Sequence, residues 1–388
     1  MMKRLLFLVL MPLGWGACPA SWSGFYQFCL PLTIDHTKVP NTDQTSFPVL
    51  ISITNANLKT TGNGGKVTSS SGFDIIPTSS PGVSQLNCES KLYVASTGQI
   101  IIWANVATVS HTADTQFYLL FGNSAVTTTQ CAATATWDAN FIAVYHFDNS
   151  LELTDSTSDA YTLSNLQGGN APCAVTCPAS TTGQIGNGVS YPGTNGFLAK
   201  ISGVTSFTFP FTLQCWVNGG LTAEGAVFSY NSGSSNNGYR LDFLTNITSL
   251  SPQYVRGGIA VTSYNSITFP TSTWSLIALT ANSAGTTVIG YVGTGGSFTS
   301  QTQTGVGNTL NNTPLNQVFL GSRDNVPLAT WMGSADECRF SNLDRSSDWL
   351  NTEYNNENSP GTFMTVGALQ PNGALNGFAP YKLKAVTL

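Results

Sequence analysis

Short runs of alternating apolar and polar residues recur along most of this chain. Between residues 22 and 130 the clearest of these runs read CLPLTID, FPVLISIT, KLYVAS, QIIIWANV and TQFYLLFGN. Alternation with a period of two is typical of β-strands that bury one face, and clusters of Gly, Asn, Pro and Ser between the runs are typical of turns. The first part of the chain therefore predicts an antiparallel β-sandwich.

A second series of strand-like runs begins at ATWDANFIAVYHFDNS and ends at DECRFS. The number of strands in this series suits a jelly roll of two packed sheets. The segment TQCAATATW, which has no core pattern, separates the two series. The predicted fold is all-β, with two tandem antiparallel β-sandwiches in residues 18–135 and 136–367 and a tail in residues 368–388.

The period changes near the C-terminus. Trp349, Leu350 and Tyr354 lie at one-turn spacing, which predicts a short helix over about residues 346–355. An Asp or Ser before this run can act as its N-cap, and Pro360 follows where a helix cannot continue. Trp349 and Tyr354 are the residues that this helix is expected to bury.

Composition limits the partners that the chain can have. Only 9% of its residues are charged, the net charge is −5, and no basic block is present. These features argue against nucleic acid or an anionic membrane surface as the main partner. No run after the N-terminal segment has the ~18 apolar residues that a membrane helix needs.

The N-terminal segment MMKRLLFLVLMPLGWGACPA predicts a secretory signal peptide in residues 1–17. Two basic residues precede the apolar run Leu5–Leu13, which is too short to span a bilayer. Cleavage after Ala17 would leave Cys18 first, so a lipid anchor at Cys18 is an alternative to simple secretion. Trp15 stands where bacterial lipoproteins usually carry Leu, and secretion to the extracellular space or cell surface is therefore preferred.

Eight cysteines are consistent with an oxidising compartment. Cys173 and Cys177 lie four apart in a Pro-rich loop and predict a local disulfide, because no His or Cys nearby supplies the further ligands of a zinc site. Spacing alone cannot fix the remaining connectivity. The candidate pairs are Cys173–Cys177, Cys215–Cys338, Cys88–Cys131 and Cys18–Cys29.

The first segment resembles the bacterial domain family DUF2341. Trp22 and Tyr26 before LTID, then KVPNTDQTSFPVLISI, FDIIPTSSPG and DTQFYLLFGN carry that resemblance. The second segment is similar to laminin G-like domains of the concanavalin A-like lectin/glucanase fold, through VYHFDNS, GQIGNGVSYPGTNGFL, FTFPFTLQCWV and WMGSADECRFSN. The closing LDRSSDWLNTEYNNENSPGTFMTVG matches the tail common where these two domains occur in tandem.

These resemblances imply several structural features. The DECRFSN strand should lie near the FTLQCWV strand, which makes a Cys215–Cys338 bridge geometrically reasonable, and the helix should cap the open end of the second sandwich. Related laminin G-like folds often hold one structural Ca²⁺ ion. The matching ligand positions are Asp148, Asp155 and Asp336, and the alternative is that each Asp only caps a turn.

Catalytic patterns are largely missing. Laminarinase-like enzymes of the same fold carry carboxylates at alternate strand positions, and this chain has no such run. Asp336 and Glu337 are adjacent, so on a regular strand they should face opposite sides. His146 in VYHFD is interpreted as a structural histidine, and no Gly-x-Ser-x-Gly elbow occurs. The chain is therefore not expected to be an enzyme, with a glycoside hydrolase of unrecognised site as the alternative.

Aromatic residues in loops and strand ends are the candidates for sugar stacking, although most aromatics in a sandwich belong to its core. The candidates are Trp331, Tyr230, Tyr239 and Tyr254. The predicted function is that of a secreted, non-catalytic protein that binds a glycan or a cell-surface protein in adhesion or assembly. A structural subunit of an extracellular filament or surface layer, formed by self-association, is the other alternative.

Overall fold

The computed structural model describes residues 18, 25–79, 84–200, 202–205, 209–219, 225–231, 238–243, 249–256, 259–260, 267–268, 270, 273–304, 316–324 and 330–372. The predicted signal peptide and most of the predicted tail therefore lie outside the described residues.

The first sandwich begins with six strands in chain order. They are β1 (Phe28–Ile34), β2 (Gln44–Thr54), β3 (Ile76–Ser79), β4 (Cys88–Val94), β5 (Gln99–Val109) and β6 (Thr115–Phe121). One sheet has the order β2-β5-β4, and the other contains β1-β6-β3. All these pairings are antiparallel, as the alternating sequence pattern predicts.

The second sandwich contains two larger antiparallel sheets. Its strands are β7 (Phe141–Tyr145), β8 (Ser164–Gln167), β9 (Ala171–Pro172), β10 (Ala179–Thr182), β11 (Asn187–Pro192), β12 (Gly196–Lys200), β13 (Phe211–Asn218), β14 (Gly225–Asn231), β15 (Gly238–Phe243), β16 (Ser249–Arg256), β17 (Ile259–Ala260), β18 (Ile267–Thr268), β19 (Ser275–Ala281), β20 (Thr287–Thr294), β21 (Ser297–Thr304), β22 (Gln317–Leu320) and β23 (Met332–Ser341). One sheet has the order β10-β11-β23-β13-β19-β20-β21 with β7 beside β23. The other has the order β17-β16-β15-β14-β22-β12-β8-β9 with β18 beside β16.

The C-terminal helix, Ser347–Asn358, confirms the helical pattern and extends three residues past the predicted end. The Ser346 hydroxyl accepts a hydrogen bond from Trp349 N at 3.1 Å, so Ser346 is the N-cap. Trp349 packs edge-on against Phe47 of the first sandwich, while Tyr354 stacks on Trp216 of the second. The helix therefore lies between the two sandwiches, rather than capping an open end of the second one.

The chain returns to the first sandwich after this helix. A short helix (Pro360–Phe363) leads to β24 (Met364–Val366) and β25 (Gln370–Pro371), which both pair with β1. The sequence pattern assigned residues up to 367 to the second sandwich and the rest to a tail. The first sheet is instead completed by strands more than 240 residues away from β6 in the sequence, in the order β24-β1-β6-β3 with β25 beside β1.

The sheet that contains β23 is buried on both faces. Ala143 and Tyr145 of β7 belong to the core between the two large sheets, while Val144 joins the core of the first sandwich. Ile277 and Ala278 of β19 divide between the two cores in the same way. The cores of the two sandwiches therefore lie on opposite faces of this one sheet.

All four predicted disulfides are present: Cys18–Cys29, Cys88–Cys131, Cys173–Cys177 and Cys215–Cys338. The Cys215–Cys338 bridge joins the neighbouring strands β13 and β23. The first of these bonds does not fit the alternative of a lipid anchor at Cys18, because the sulfur that would carry the lipid is bonded to Cys29. Within the described residues, no helix is long and apolar enough to cross a membrane.

Candidate functional site

A β-bulge in β23 brings two neighbouring carboxylates to the same face. Glu337 has a φ of 47°, and the pairing of β23 with β13 shifts by one residue beside it. Ala335 and Cys338 both face the core between the large sheets, so Asp336 and Glu337 lie together on the opposite face. The expectation that these two acids face opposite sides was wrong, because it assumed a regular strand.

Arg339 lies at the centre of the contact between the sandwiches and is fully buried. Its guanidinium pairs with Glu337 at 2.8 Å, Glu353 at 2.9 Å and Glu357 at 2.6 Å. The guanidinium also lies 4.6 Å from the ring centre of Trp103, on the first sandwich. These three carboxylates raise the pKa of Arg339 and hold its charge in the interior, although burial opposes that charge.

His146 connects this cluster to the first sandwich. Its Nδ1 lies 2.8 Å from Glu337, and its Nε2 lies 3.3 Å from Glu89 Oε2 of β4 without hydrogen-bond alignment. Burial would lower the pKa of His146, but the charges of Glu337 and Glu89 raise it to about 9. His146 is therefore charged at neutral pH and hydrogen-bonded in the interior, whereas its sequence context predicted a structural histidine without any statement of its charge.

Glu89 is held by partners from both sandwiches. Its carboxylate accepts hydrogen bonds from Trp137 Nε1 at 2.8 Å and from the Ser156 hydroxyl at 2.6 Å. Burial would raise its pKa, but the charge and hydrogen bond of His146, together with Lys91, lower it to about 2. Glu89 therefore stays ionised over the whole physiological range.

Lys91 supplies the cation at the solvent side of this cluster. Its ammonium lies 2.6 Å from Glu152 Oε2 and 3.4 Å from Glu89 Oε1, and only 5% of its side chain is exposed. The cluster formed by Arg339, Glu337, Glu353, Glu357, His146, Glu89, Lys91 and Glu152 is called the junction network below. Its members come from β4, β23, the C-terminal helix and the segment after β7.

The junction network opens into a cleft of about 630 Å³. Glu89, Lys91 and Glu152 form the charged part of its wall, and Phe73 and Tyr93 supply aromatic rings. Its remaining walls are mainly hydroxyl and amide side chains, including Ser70, Ser71, Ser90, Thr129, Gln130 and Asn149. This space is called the junction cleft.

The backbone beside the cleft is strained. Phe147, Asn149, Ser150 and Leu151 all have φ between 50° and 73°, in the left-handed region that non-glycine residues rarely adopt. Such conformations persist only where the surroundings enforce them, and they concentrate at functional sites. This turn places Asn149 and Glu152 in the cleft wall.

The predicted calcium ligands do not form one site. Asp155 accepts hydrogen bonds from the backbone N–H groups of Val144, Thr157 and Tyr161, which makes it a turn-capping residue. In the described part of the chain, the oxygens of Asp148, Asp155 and Asp336 do not all come within 4.8 Å of one another. The proposed trio therefore does not fit a shared calcium ion.

Asp148 and Asp336 instead hold the loop 183–187. Asp336 accepts from Ile185 N at 2.8 Å, and Asp148 accepts from Asn187 N at 3.1 Å. The loop can approach this closely because Gly183 and Gly186 have no Cβ. A Cβ at either position would lie 2.5–2.6 Å from one of these carboxylates. Burial raises the pKa of Asp148 to about 6, and the charge of Glu337 adds to the shift.

Two predicted stacking residues belong to the core. Trp331 is 2% exposed and Tyr230 is fully buried, with Tyr230 packed 4.7 Å from the Phe340 ring centre. Neither can offer a face to a sugar, because the inner layer of the second sandwich covers both. The backbones of Tyr239 and Tyr254 pair with each other across β15 and β16, and their side chains lie outside the described residues.

Sequence reasoning missed most of the junction network. Glu89, Lys91 and Glu152 are separated from Glu337 and Arg339 by long stretches of chain, and no spacing rule connects them. One signal was available: Glu353 and Glu357 lie four residues apart, so they share one face of a helix that continues past its predicted end at residue 355. Two acids on a helix that also buries Trp349 and Tyr354 indicate a buried cation partner.

Solved structures of low identity share part of the fold. Domain 4 of a GH43 extracellular arabinanase from Geobacillus stearothermophilus, in complex with arabinotriose, is 17% identical over 56% of this chain and 99% of that chain, with a TM-score of 0.42. The receptor binding domain of botulinum neurotoxin type G is 12% identical over 56% of this chain and 51% of that chain, with a TM-score of 0.35. A Trypanosoma rangeli sialidase in complex with 2,3-difluorosialic acid is 12% identical over 57% of this chain and 34% of that chain, with a TM-score of 0.36.

The matches to the toxin and the sialidase span 51% and 34% of those chains. No family model matches the chain, and no curated protein matches it. At these identities and TM-scores, the similarity concerns the β-sandwich and does not extend to function.

Proposed function

We propose that this chain is an exported, non-catalytic binding protein that recognises a glycan, or a glycan-bearing surface partner, in the junction cleft. The observation that supports this proposal most is the composition of the cleft wall. Hydroxyl and amide groups lie beside two aromatic rings, and the ammonium of Lys91 is already paired with Glu152 and Glu89. Such a wall can hydrogen-bond and stack on a polyhydroxylated ligand without a reacting group.

The family resemblances to DUF2341 and to laminin G-like domains point in the same direction. Both imply a β-sandwich, and the four disulfides suit an oxidising compartment. Export through residues 1–17 remains part of this proposal.

The direct test is a glycan array probed with the oxidised, full mature chain. We expect binding to a limited set of glycans, and we expect the same hits to bind about tenfold more weakly to Glu152→Gln, because one charged hydrogen-bond partner in the cleft is neutralised. Asp159→Asn, which removes an exposed carboxylate elsewhere on the second sandwich, is the matched control. No binding to any glycan, or equal binding by Glu152→Gln and the parent, would reject the proposal.

Hydrolysis is the second candidate, and one specific observation favours it. Burial raises the pKa of Asp148 to about 6, and the charges of His146 and Lys91 lower that of Glu89 to about 2; of these two carboxyls, Glu89 lines the junction cleft and Asp148 does not. Separated carboxyl pKa values are the pattern of a general acid and a general base. The test is an assay for new reducing ends on a glycan that binds in the array. Release by the parent and not by Glu89→Gln would establish a hydrolase in place of the binding protein.

A further inference from the structure

A second cavity lies at the far end of the β1–β6 sheet. It has a volume of about 560 Å³ and is formed where β1 begins, where β6 ends and where the chain leaves β25. The junction network contributes no residue to this space, which is called the end cavity. No prediction from the sequence pointed to it.

One side of the end cavity is an exposed aromatic ring. Phe25 is 74% exposed, and the other large apolar side chains exposed among the described residues are Val175 and Met332. Phe25 is therefore the aromatic member of this group. Single exposed apolar residues are common on protein surfaces, so exposure alone does not make a site.

The ring of Phe28 supplies a fixed second surface. Phe121 packs against it with ring centres 5.9 Å apart, and the ammonium of Lys66 lies 5.4 Å from its centre. Gly122 leaves room for this ring, because a Cβ there would lie 2.7 Å from Phe28. Phe28 is thus held in place without any ligand.

The polar groups of the end cavity are uncharged and partly pre-oriented. The Asn123 amide oxygen accepts a hydrogen bond from Ala125 N at 3.1 Å, and the Asn372 amide donates to Tyr26 O at 3.1 Å. Gln27 and Ser124 add an exposed amide and an exposed hydroxyl. Among the described residues that line this cavity, none is acidic or basic.

We propose that the end cavity is a second binding site, and that its ligand is a neutral saccharide unit stacked on Phe25. Aromatic rings pack against the apolar faces of sugars, while amides and hydroxyls bind their hydroxyl groups. The described lining residues of this cavity are uncharged, whereas Glu89, Lys91 and Glu152 line the junction cleft. This inference rests on the proposed glycan function and adds a site in the first sandwich.

The test is affinity gel electrophoresis of the oxidised, full mature chain in soluble amylose, arabinan and xylan. We expect at least one of these polymers to retard the parent and Phe25→Trp to a similar extent. Phe25→Ala should bind that polymer about fivefold more weakly, because the stacking surface is lost. Val175→Ala, which truncates an equally exposed apolar side chain in the second sandwich, should migrate as the parent does.

The outcomes separate the two proposals. If Glu152→Gln weakens retardation and Phe25→Ala does not, the end-cavity site is overturned and the junction site stands. If Phe25→Ala and Phe25→Trp lose binding equally, stacking is overturned. If no polymer and no array glycan binds the parent, both proposals fail. Because Phe25 is exposed, its replacement should leave the melting temperature unchanged, and equal melting temperatures verify folding in every comparison.

Discussion

The two faces of β23 are both buried, but one carries apolar side chains and the other carries polar and charged ones. On one face Ala335, Cys338 and Phe340 lie in the apolar core between the large sheets. On the other face Asp336, Glu337 and Arg339 are equally buried. Arg339 pairs with Glu337 and with two acids of the C-terminal helix and lies over Trp103 of the first sandwich, while Asp336 accepts a hydrogen bond from Ile185 N. The bulge at Glu337 produces this division by adding one residue to the charged face.

The difference between these faces separates stability from specificity. Apolar burial contributes about 25 cal/mol per Å², and it tolerates small shifts in packing. A buried ion pair contributes little net stability, because desolvation offsets its Coulomb energy, but removing one partner is costly. We therefore interpret the apolar face as the source of the sandwich's stability and the charged face as what fixes the relative position of the sandwiches.

The largest expected effect comes from removing the central cation. Arg339→Met should lower the free energy of unfolding by about 3–5 kcal/mol, because three buried carboxylates lose their counter-charge. Phe340→Leu, one residue along the strand on the apolar face, should cost about 1.5 kcal/mol or less. Urea unfolding of both variants measures the two values. An Arg339→Met loss no larger than that of Phe340→Leu would contradict the division of roles.

The next effect is a dependence of stability on pH. The pKa of His146 is about 9 in the folded chain and about 6.5 in the unfolded chain, so its contribution is complete below pH 6.5 and is lost as the pH rises through 9. Glu89 has the opposite sign: its folded pKa of about 2 lies below the unfolded value of 4.5, so its contribution is complete above pH 4.5 and is lost toward pH 2.

The contributions of His146 and Glu89 are both complete only between pH 4.5 and 6.5, so the melting temperature should decrease as the pH rises from 6.5 to 9. Each contribution is on the order of 1–3 kcal/mol. His146→Gln should flatten the decrease between pH 6.5 and 9, whereas His111→Gln, at an exposed pair with Asp43, should leave it in place. If the melting temperature of His146→Gln decreased between pH 6.5 and 9 as much as that of the parent, groups other than His146 would cause the loss of stability at alkaline pH.

The smallest effect concerns metal ions. Lys91 places its ammonium between Glu89 and Glu152, where a divalent cation could otherwise bind. Calcium should therefore leave the free energy of unfolding of the parent unchanged and raise that of Lys91→Met by about 1.4 kcal/mol at ten times the dissociation constant, which urea unfolding with and without calcium measures. If calcium stabilised the parent, the prediction would be wrong, and the result would support the structural calcium ion that the family resemblance implies.

Sequence patterns predicted the parts of the molecule that repeat locally. Strand alternation gave the all-β class, the spacing of Trp349 and Tyr354 gave the helix, and all four candidate cysteine pairs formed. The junction could not be predicted, because it depends on contacts between segments far apart in sequence and on one irregular residue, Glu337. The same long-range pairing placed β24 and β25 in the first sandwich.

The aromatic candidates show a different limit. Trp331 and Tyr230 stand near loops in the sequence, yet both are inside the second sandwich. Alternation cannot tell a strand-end aromatic that closes a core from one that faces solvent, because both occupy the same positions in the pattern. Phe25, which does face solvent, precedes the first predicted strand and was not among the candidates for sugar stacking.

Differential scanning calorimetry of the full, oxidised chain and of Arg339→Met tests the central claim that the charged face of β23 joins the two sandwiches into one unit. The parent should unfold in one transition whose calorimetric and van't Hoff enthalpies agree. Arg339→Met should unfold at lower temperature in two resolved transitions. Two transitions in the parent, or a single undisturbed transition in Arg339→Met, would contradict the account.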